Sequence, residues 1–208
     1  MKKIILSSLL VLVFGFVNAQ KAQFGIKGSL NSSNFSGDTE GVDFTSRIGF
    51  NVGAFATIKL SKNITLQPEI LYSTQGAEAK NVTAAIDDML FSGDVKFNLS
   101  YINVPVMLKY YVADKFNLEA GPQIGFLTSA KTSTKVDGFN QTTDEDIKDS
   151  FESLDFGLNF GAGYDFTKNI SAGIRYNLGL ANIAKTEAGD NSKVHNSVFS
   201  VSVGYKFN

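Results

Sequence analysis

From Leu154 onward the chain alternates between apolar residues and small or polar ones. Leu154, Phe156, Leu158, Phe160, Ala162, Tyr164 and Phe166 share one parity; Asp155, Gly157, Asn159, Gly161, Gly163 and Asp165 share the other. After Thr167-Lys168-Asn169 the alternation resumes, with Ile170, Ala172, Ile174, Tyr176, Leu178 and Leu180 set against Ser171, Gly173, Arg175, Asn177 and Gly179. A period of two puts successive side chains on opposite faces of a strand, and two such runs around a short turn predict a hairpin. Each run is about 12 residues, roughly twice the ordinary globular strand. That length, with one apolar face and one small-polar face, is the pattern of a strand crossing a membrane inside a barrel.

The same pattern recurs along the chain. It predicts strands over 24–32, 47–60, 64–75, 97–112, 116–128, 154–166, 170–181 and 196–207. Tight turns fall at Ser61-Lys62-Asn63, Ala113-Asp114-Lys115 and Thr167-Lys168-Asn169. Long polar connections are expected over 33–46, 76–95, 129–153 and 184–195, the third being acidic at Asp144-Glu145-Asp146. Within the second, 82–91 suits a short helix or a strand extension equally well. Long and short connections alternate, so three tight turns lie at one end and four long loops at the other. The predicted fold is all-β: an eight-stranded antiparallel up-and-down transmembrane β-barrel with short periplasmic turns and long extracellular loops.

Alternation does not by itself say which face points outward, since a lipocalin-like barrel turns its apolar face inward. Eight strands enclose room only for a filled core or one small ligand. Phe, Leu, Ile and Tyr from every strand would crowd that space, whereas Gly, Ser and Asn fit it, and those small residues would make a poor soluble exterior. The apolar face is therefore expected to meet lipid. Two aromatic belts are predicted on it: Tyr110, Phe116, Tyr164, Phe166, Tyr205 and Phe207 toward the tight turns, and Phe50, Tyr72, Phe126 and Phe156 toward the long loops. The inward face carries Lys27, Lys59, Lys109, Arg175 and Lys206 with Glu69, Glu119, Asp155 and Asp165. Unpaired charge in a narrow lumen is costly, so these are expected to form paired, hydrogen-bonded networks that fill the barrel.

Composition adds a compartment. Met-Lys-Lys, an apolar run over 4–17 and Val17-Asn18-Ala19-Gln20 form a secretory signal peptide pattern, with cleavage expected after Ala19 and a barrel domain over 20–208. There is no cysteine, which excludes a thioether-linked lipid anchor, disulfides and thiolate metal sites. A net charge of −1 gives no electrostatic case for nucleic acid.

Several stretches together resemble the outer-membrane β-barrel family of Bacteroidetes often labelled PorT-like or "porin family". They are Ile64-Thr65-Leu66-Gln67-Pro68-Glu69-Ile70-Leu71-Tyr72-Ser73, Val104-Pro105-Val106-Met107-Leu108-Lys109-Tyr110-Tyr111 and Leu118-Glu119-Ala120-Gly121-Pro122-Gln123-Ile124-Gly125-Phe126. Phe156-Gly157-Leu158-Asn159-Phe160-Gly161-Ala162-Gly163-Tyr164, Arg175-Tyr176-Asn177-Leu178-Gly179-Leu180 and Val203-Gly204-Tyr205-Lys206-Phe207 continue the likeness over nearly the whole mature chain. The resemblance implies an outer-membrane location and a link to protein secretion or envelope function through its namesake members. It implies no settled activity. Asn208 follows Phe207, where barrels of this kind usually finish on an aromatic residue.

Candidate chemistry is sparse. His195 is the single histidine and lies two residues before Ser197, a spacing used in barrel-type lipid A deacylases for nucleophilic acyl chemistry. Asp144, Asp146 and Asp149 carry oxygen ligands for calcium but lack the glycine and terminal glutamate of a calcium loop. The expectation is an integral, non-enzymatic barrel without a cofactor or metal. Its expected contacts are outer-membrane lipid, the barrel assembly machinery during insertion, and an extracellular or periplasmic protein partner, with the long loops contacting a partner or the medium. A monomer is expected. The alternatives are a soluble periplasmic barrel holding a small apolar ligand and a membrane-embedded lipid-modifying enzyme.

Overall fold

The computed structural model describes residues 22–38, 44–86, 89–136, 142–185 and 193–207. The expected signal peptide, 1–19, lies outside these residues. Among the described residues there are nine strands: β1 Gln23–Gly37, β2 Phe44–Lys59, β3 Ile64–Ile86, β4 Met89–Tyr111, β5 Phe116–Val136, β6 Thr142–Asp146, β7 Leu154–Asp165, β8 Ile170–Gly179 and β9 Val194–Lys206. Every pairing is antiparallel. The order β4-β3-β2-β1-β9-β8-β7-β5 closes through β4 against β5, so eight strands form a ring. The ninth, β6, pairs with β5 over Lys131 to Lys135, above the level where β7 begins.

The turns show why the chain reverses where it does. Ser61 Oγ accepts from the backbone N–H groups of Asn63 and Ile64 at 3.4 and 3.2 Å. Thr167 Oγ1 does the same for Asn169 and Ile170 at 3.1 and 2.9 Å. A hydroxyl three residues ahead of the returning strand mimics a turn's own hydrogen bond, so Ser-Lys-Asn and Thr-Lys-Asn act alike.

Three of the expected loops are corrected by the structure. The 76–95 connection is not a loop but the far half of the β3–β4 hairpin, in which 82–91 is strand on both sides of the two residues left undescribed. The 33–46 connection is largely taken up by the ends of β1 and β2. The 129–153 loop contains the extension of β5, all of β6 and a 3-10 turn at Lys148–Ser150. Most of the fourth connection, 186–192, lies outside the described residues.

The reason is an exchange of faces. In the lower two thirds of the barrel apolar residues point out: Leu30, Ile174, Val201 and Val203 are at least half exposed, with Leu30 at 69%. In the upper third they point in. Phe35, Ala77, Leu99, Tyr101, Leu127, Ala130, Phe151 and Ile183 form a buried cluster inside the ring, with Phe44, Phe97, Ile147 and Val194 packed against it. The exchange coincides with register shifts between Ser46 and Asn51 on β2 and between Leu127 and Ser129 on β5. A bulge adds one residue and so moves the following side chains to the other face. On β2 the inward residues are Asn51, Phe55 and Thr57 below the shift but Phe44 above it. On β5 they are Asn117, Glu119 and Leu127 below but Ala130 above. Between them Gly76 has φ +138°, and a Cβ there would collide with the Phe97 carbonyl. Ser33 Oγ accepts from Gly76 N and donates to its carbonyl, both at 2.9 Å, and so holds the backbone where β3 bends.

Candidate functional site: the filled lumen and its two ends

The lumen is filled in layers. The central one is a chain of charges drawn from five strands. Arg175 of β8 lies between two glutamates: its Nη1 and Nη2 donate to Glu69 Oε2 and Oε1 at 2.9 and 2.8 Å, and its Nε donates to Glu119 Oε1 at 2.8 Å. Lys27 reaches Glu69 at 3.4 Å, and Lys109 reaches Glu119 at 3.4 Å. Gln67 adds a donor to Glu69 at 2.8 Å. The fork of the guanidinium matches a carboxylate in two parallel bonds, which fixes geometry as well as charge. The Glu69 side chain has no exposed surface and that of Arg175 8%. Burial of this depth is tolerable only because every charge has an opposite neighbour.

Below this layer the Phe55 ring lies over Gly25 of β1 and beside Gly204 of β9. Gly25 of β1 makes room for it, since a Cβ there would collide with the ring. Above it lies an amide layer: Asn31 Nδ2 donates to Asn51 Oδ1 at 2.7 Å, Asn177 Nδ2 to Asn159 Oδ1 at 3.2 Å, and Asn159 Nδ2 to Gln123 Oε1 at 3.3 Å. The cavity between these layers is ≈ 20 Å³, room for about one water. Higher still, Asn196 Nδ2 donates to Asp155 Oδ2 at 2.9 Å and contacts Tyr101 Oη at 3.4 Å. The apolar cluster closes the top, with the Phe35, Phe44 and Phe97 rings edge-to-face at 5.4 to 5.8 Å between centroids.

Of the nine charged residues expected in the lumen, the structure brings Lys27, Glu69, Lys109, Glu119 and Arg175 into one cluster. Asp165 and Lys206 pair separately at the tight-turn mouth at 3.4 Å, where Tyr111 Oη also donates to Asp165 at 2.9 Å. Two depart from the expected ion-paired network. Lys59 is exposed at the rim, where water replaces a partner, and has no carboxylate within 4 Å among the described residues. Asp155 is buried and takes an amide donor in place of a cation. The sequence reading missed the amide layer and the apolar cluster, although Asn31, Asn159, Asn177 and Leu99 were each on a predicted inward parity or its continuation.

Of the aromatic positions, Phe50, Tyr72, Tyr110, Phe116, Phe156, Tyr164, Phe166, Tyr205 and Phe207 are exposed on the outer face, and Phe126 is half-buried there. His195 and Ser197 lie on the outward parity of β9 and are engaged elsewhere: His195 Nδ1 is 2.8 Å from the Ala181 carbonyl, and Ser197 Oγ is 3.2 Å from Ser36 Oγ. Asp144, Asp146 and Asp149 are exposed, and among the described residues no three His, Cys, Asp or Glu side chains are grouped so as to hold a metal.

An outer face of half-exposed Leu, Ile, Val and Phe around a polar lumen is a surface made for lipid. The sequence profile of the outer membrane protein beta-barrel domain matches residues 18–185. The chain belongs to this family. No curated protein matches the sequence. Among solved structures, the barrel is similar to Neisserial surface protein A, with 17% identity, TM-score 0.52, 90% of this chain covered and 100% of that one. It is also similar to Ail, the attachment invasion locus protein of Yersinia pestis, solved in complex with the heparin analogue sucrose octasulfate. That match has 14% identity, TM-score 0.50, and covers 89% of this chain and 99% of that one. Similarity at this level concerns the fold. Family and fold place the outer-membrane barrel in the outer membrane, which removes the soluble ligand-binding alternative. Its tight turns then face the periplasm and its apolar-filled upper third stands on the extracellular side.

Proposed function

We propose that this protein is a closed, non-enzymatic outer-membrane barrel that works through the collar it raises above the membrane, offered to a protein partner. The observation that carries this reading is the sealed lumen. A charged layer, an amide layer and an apolar plug follow one another along the axis, and the gap between the first two is ≈ 20 Å³. A lumen so filled leaves no path for a solute, so the useful surface is the exterior of the collar and its loops. The non-enzymatic part of the reading is supported by the occupied ring nitrogen of His195 and the separate partner of Ser197. Within the family, the stretches that resemble PorT-like barrels of Bacteroidetes support a role in protein secretion or envelope function.

Two measurements test this. In planar bilayers the purified barrel is expected to give no stable conductance steps; regular porin-like steps would overturn the closed lumen. In cells lacking the gene, a variant whose β3–β4 hairpin is shortened above Gly76 should insert but fail to complement. A lumen variant such as Asn159→Ser should complement. Complementation by the shortened form, or an altered lipid A profile in the deletion strain, would sink the collar reading.

A further inference from the structure

The periplasmic mouth is a second candidate site, and neither the lumen nor the collar accounts for it. It is a vestibule of ≈ 790 Å³ lined, among the described residues, by Lys59, Lys62, Lys115, Lys168 and Lys206 against Asp114 and Asp165. Its size falls in the range of small-molecule sites. Each tight turn contributes one lysine: Lys62 from the first, Lys115 from the second and Lys168 from the third. Asp165 is already engaged by Lys206 and Tyr111. Among the described residues Lys59, Lys62, Lys115 and Lys168 have no carboxylate within 4 Å. A second observation points into the same space. Thr57, 5% exposed, lines the vestibule, and its buried Oγ1 has no hydrogen-bond partner among the described residues.

We infer that this vestibule binds a soluble, multiply charged oxyanion of the phosphate type from the periplasm. Clustered ammonium groups within walls of low dielectric raise the local concentration of such an ion. Lysine serves as a point-charge donor to phosphate from several directions, as a ring of separate turns would require. The Thr57 hydroxyl supplies an orienting donor at the inner end. Closure of the lumen above this level makes the vestibule a dead end, so the bound ion would be held and not conducted.

The test is calorimetric titration of sodium tripolyphosphate into the full barrel in neutral detergent, at low and at moderate salt, with heat-modifiability on gels confirming that each variant is folded. Saturable one-to-one binding is expected, weakened at least tenfold in the Lys59→Gln/Lys62→Gln double variant and several-fold in Thr57→Val. It should also weaken with salt, since exposed charges are screened. Among the described residues Lys59 and Lys62 make no ion pair, so their loss should leave the barrel intact. Absence of saturable binding would overturn the inference, as would binding that none of the three substitutions alters. A parallel arm uses vesicles with and without anionic phospholipid. Dependence of vesicle association on the same lysines, with no binding of free tripolyphosphate, would reassign them to lipid headgroups and also overturn it. Neither result bears on conductance or complementation, so the collar reading stands or falls separately.

Discussion

The membrane belt and the extracellular collar are made from the same strands turned inside out. In the belt Leu30, Val201 and Ile174 face outward around Glu69 and Arg175; in the collar Thr45, Lys96 and Thr128 face outward around Phe35, Leu99 and Phe151. The solvent sets the rule in each case. Lipid tails offer no hydrogen bonds, so the belt sends polar groups to a lumen where they satisfy one another. Water drives apolar groups together, so the collar packs a core of the ordinary soluble kind. One strand can obey both rules because the inward face is a geometric property, while its polarity is free to change along its length. Two regions built on opposite principles should also fail in different ways.

The largest difference is expected at the charged layer. Glu69 is the anion on which Lys27 and Arg175 converge. Glu69→Gln keeps the shape but leaves two buried cations and Lys109 facing Glu119 alone. Removing one partner of a buried ionic group costs about 3–5 kcal/mol, and denaturant unfolding of the barrel in detergent or lipid should show that loss. An unchanged midpoint would mean that water reaches this layer freely and that the lumen is not sealed there.

Leu99→Ala should cost less and act elsewhere. Leu99 is 1% exposed in the collar cluster. Truncating a buried leucine costs about 2–5 kcal/mol, toward the low end where the surroundings can collapse into the space, and a rim can. The expected result is faster proteolysis and faster amide exchange in the β3–β4 extension, with the heat-modifiable mobility of the belt retained. Loss of the mobility shift together with collar protection would show that the two regions form one cooperative unit, and the comparison would fail.

The same contrast explains what could be read from sequence. Eight crossings were legible because belt strands keep one polarity per face over about ten residues, as in Ile170 to Leu180. Parity also put Lys27, Glu69, Lys109, Glu119 and Arg175 on a common face, and the structure places these side chains together in the lumen. The collar reads as loops in the sequence because its alternation carries on with the polarity exchanged. Ala77 and Ala79 continue the parity of Ser73, and Phe97 and Leu99 that of Asn103. On β2 and β5 a bulge breaks the phase as well, so Phe44 and Ala130 could not be assigned to a face by counting. The vestibule is hidden differently: the three turns read plainly as turns, but that each carries a lysine matters only once the ring brings them to one mouth.

The smallest effect is expected where an ion pair of the collar faces water. Lys96 and Glu78 approach to 3.5 Å across β3 and β4, with side-chain exposures of 52% and 18%. The pair resembles Lys27–Glu69 in distance, 3.5 against 3.4 Å, and differs from it in surroundings. Exposed pairs contribute about 0–1 kcal/mol, because water solvates each ion nearly as well as its partner does. Glu78→Gln should therefore shift collar protection by less than about 1 kcal/mol, with a smaller shift at high salt, where Glu69→Gln should remain costly. Comparing the two substitutions at matched salt contrasts an exposed carboxylate held by one lysine with a buried one held by Lys27 and, at 2.8 Å, by Arg175. If Glu78→Gln destabilised the barrel as much as Glu69→Gln, distance and not environment would govern these pairs, and the division into belt and collar would lose its physical basis.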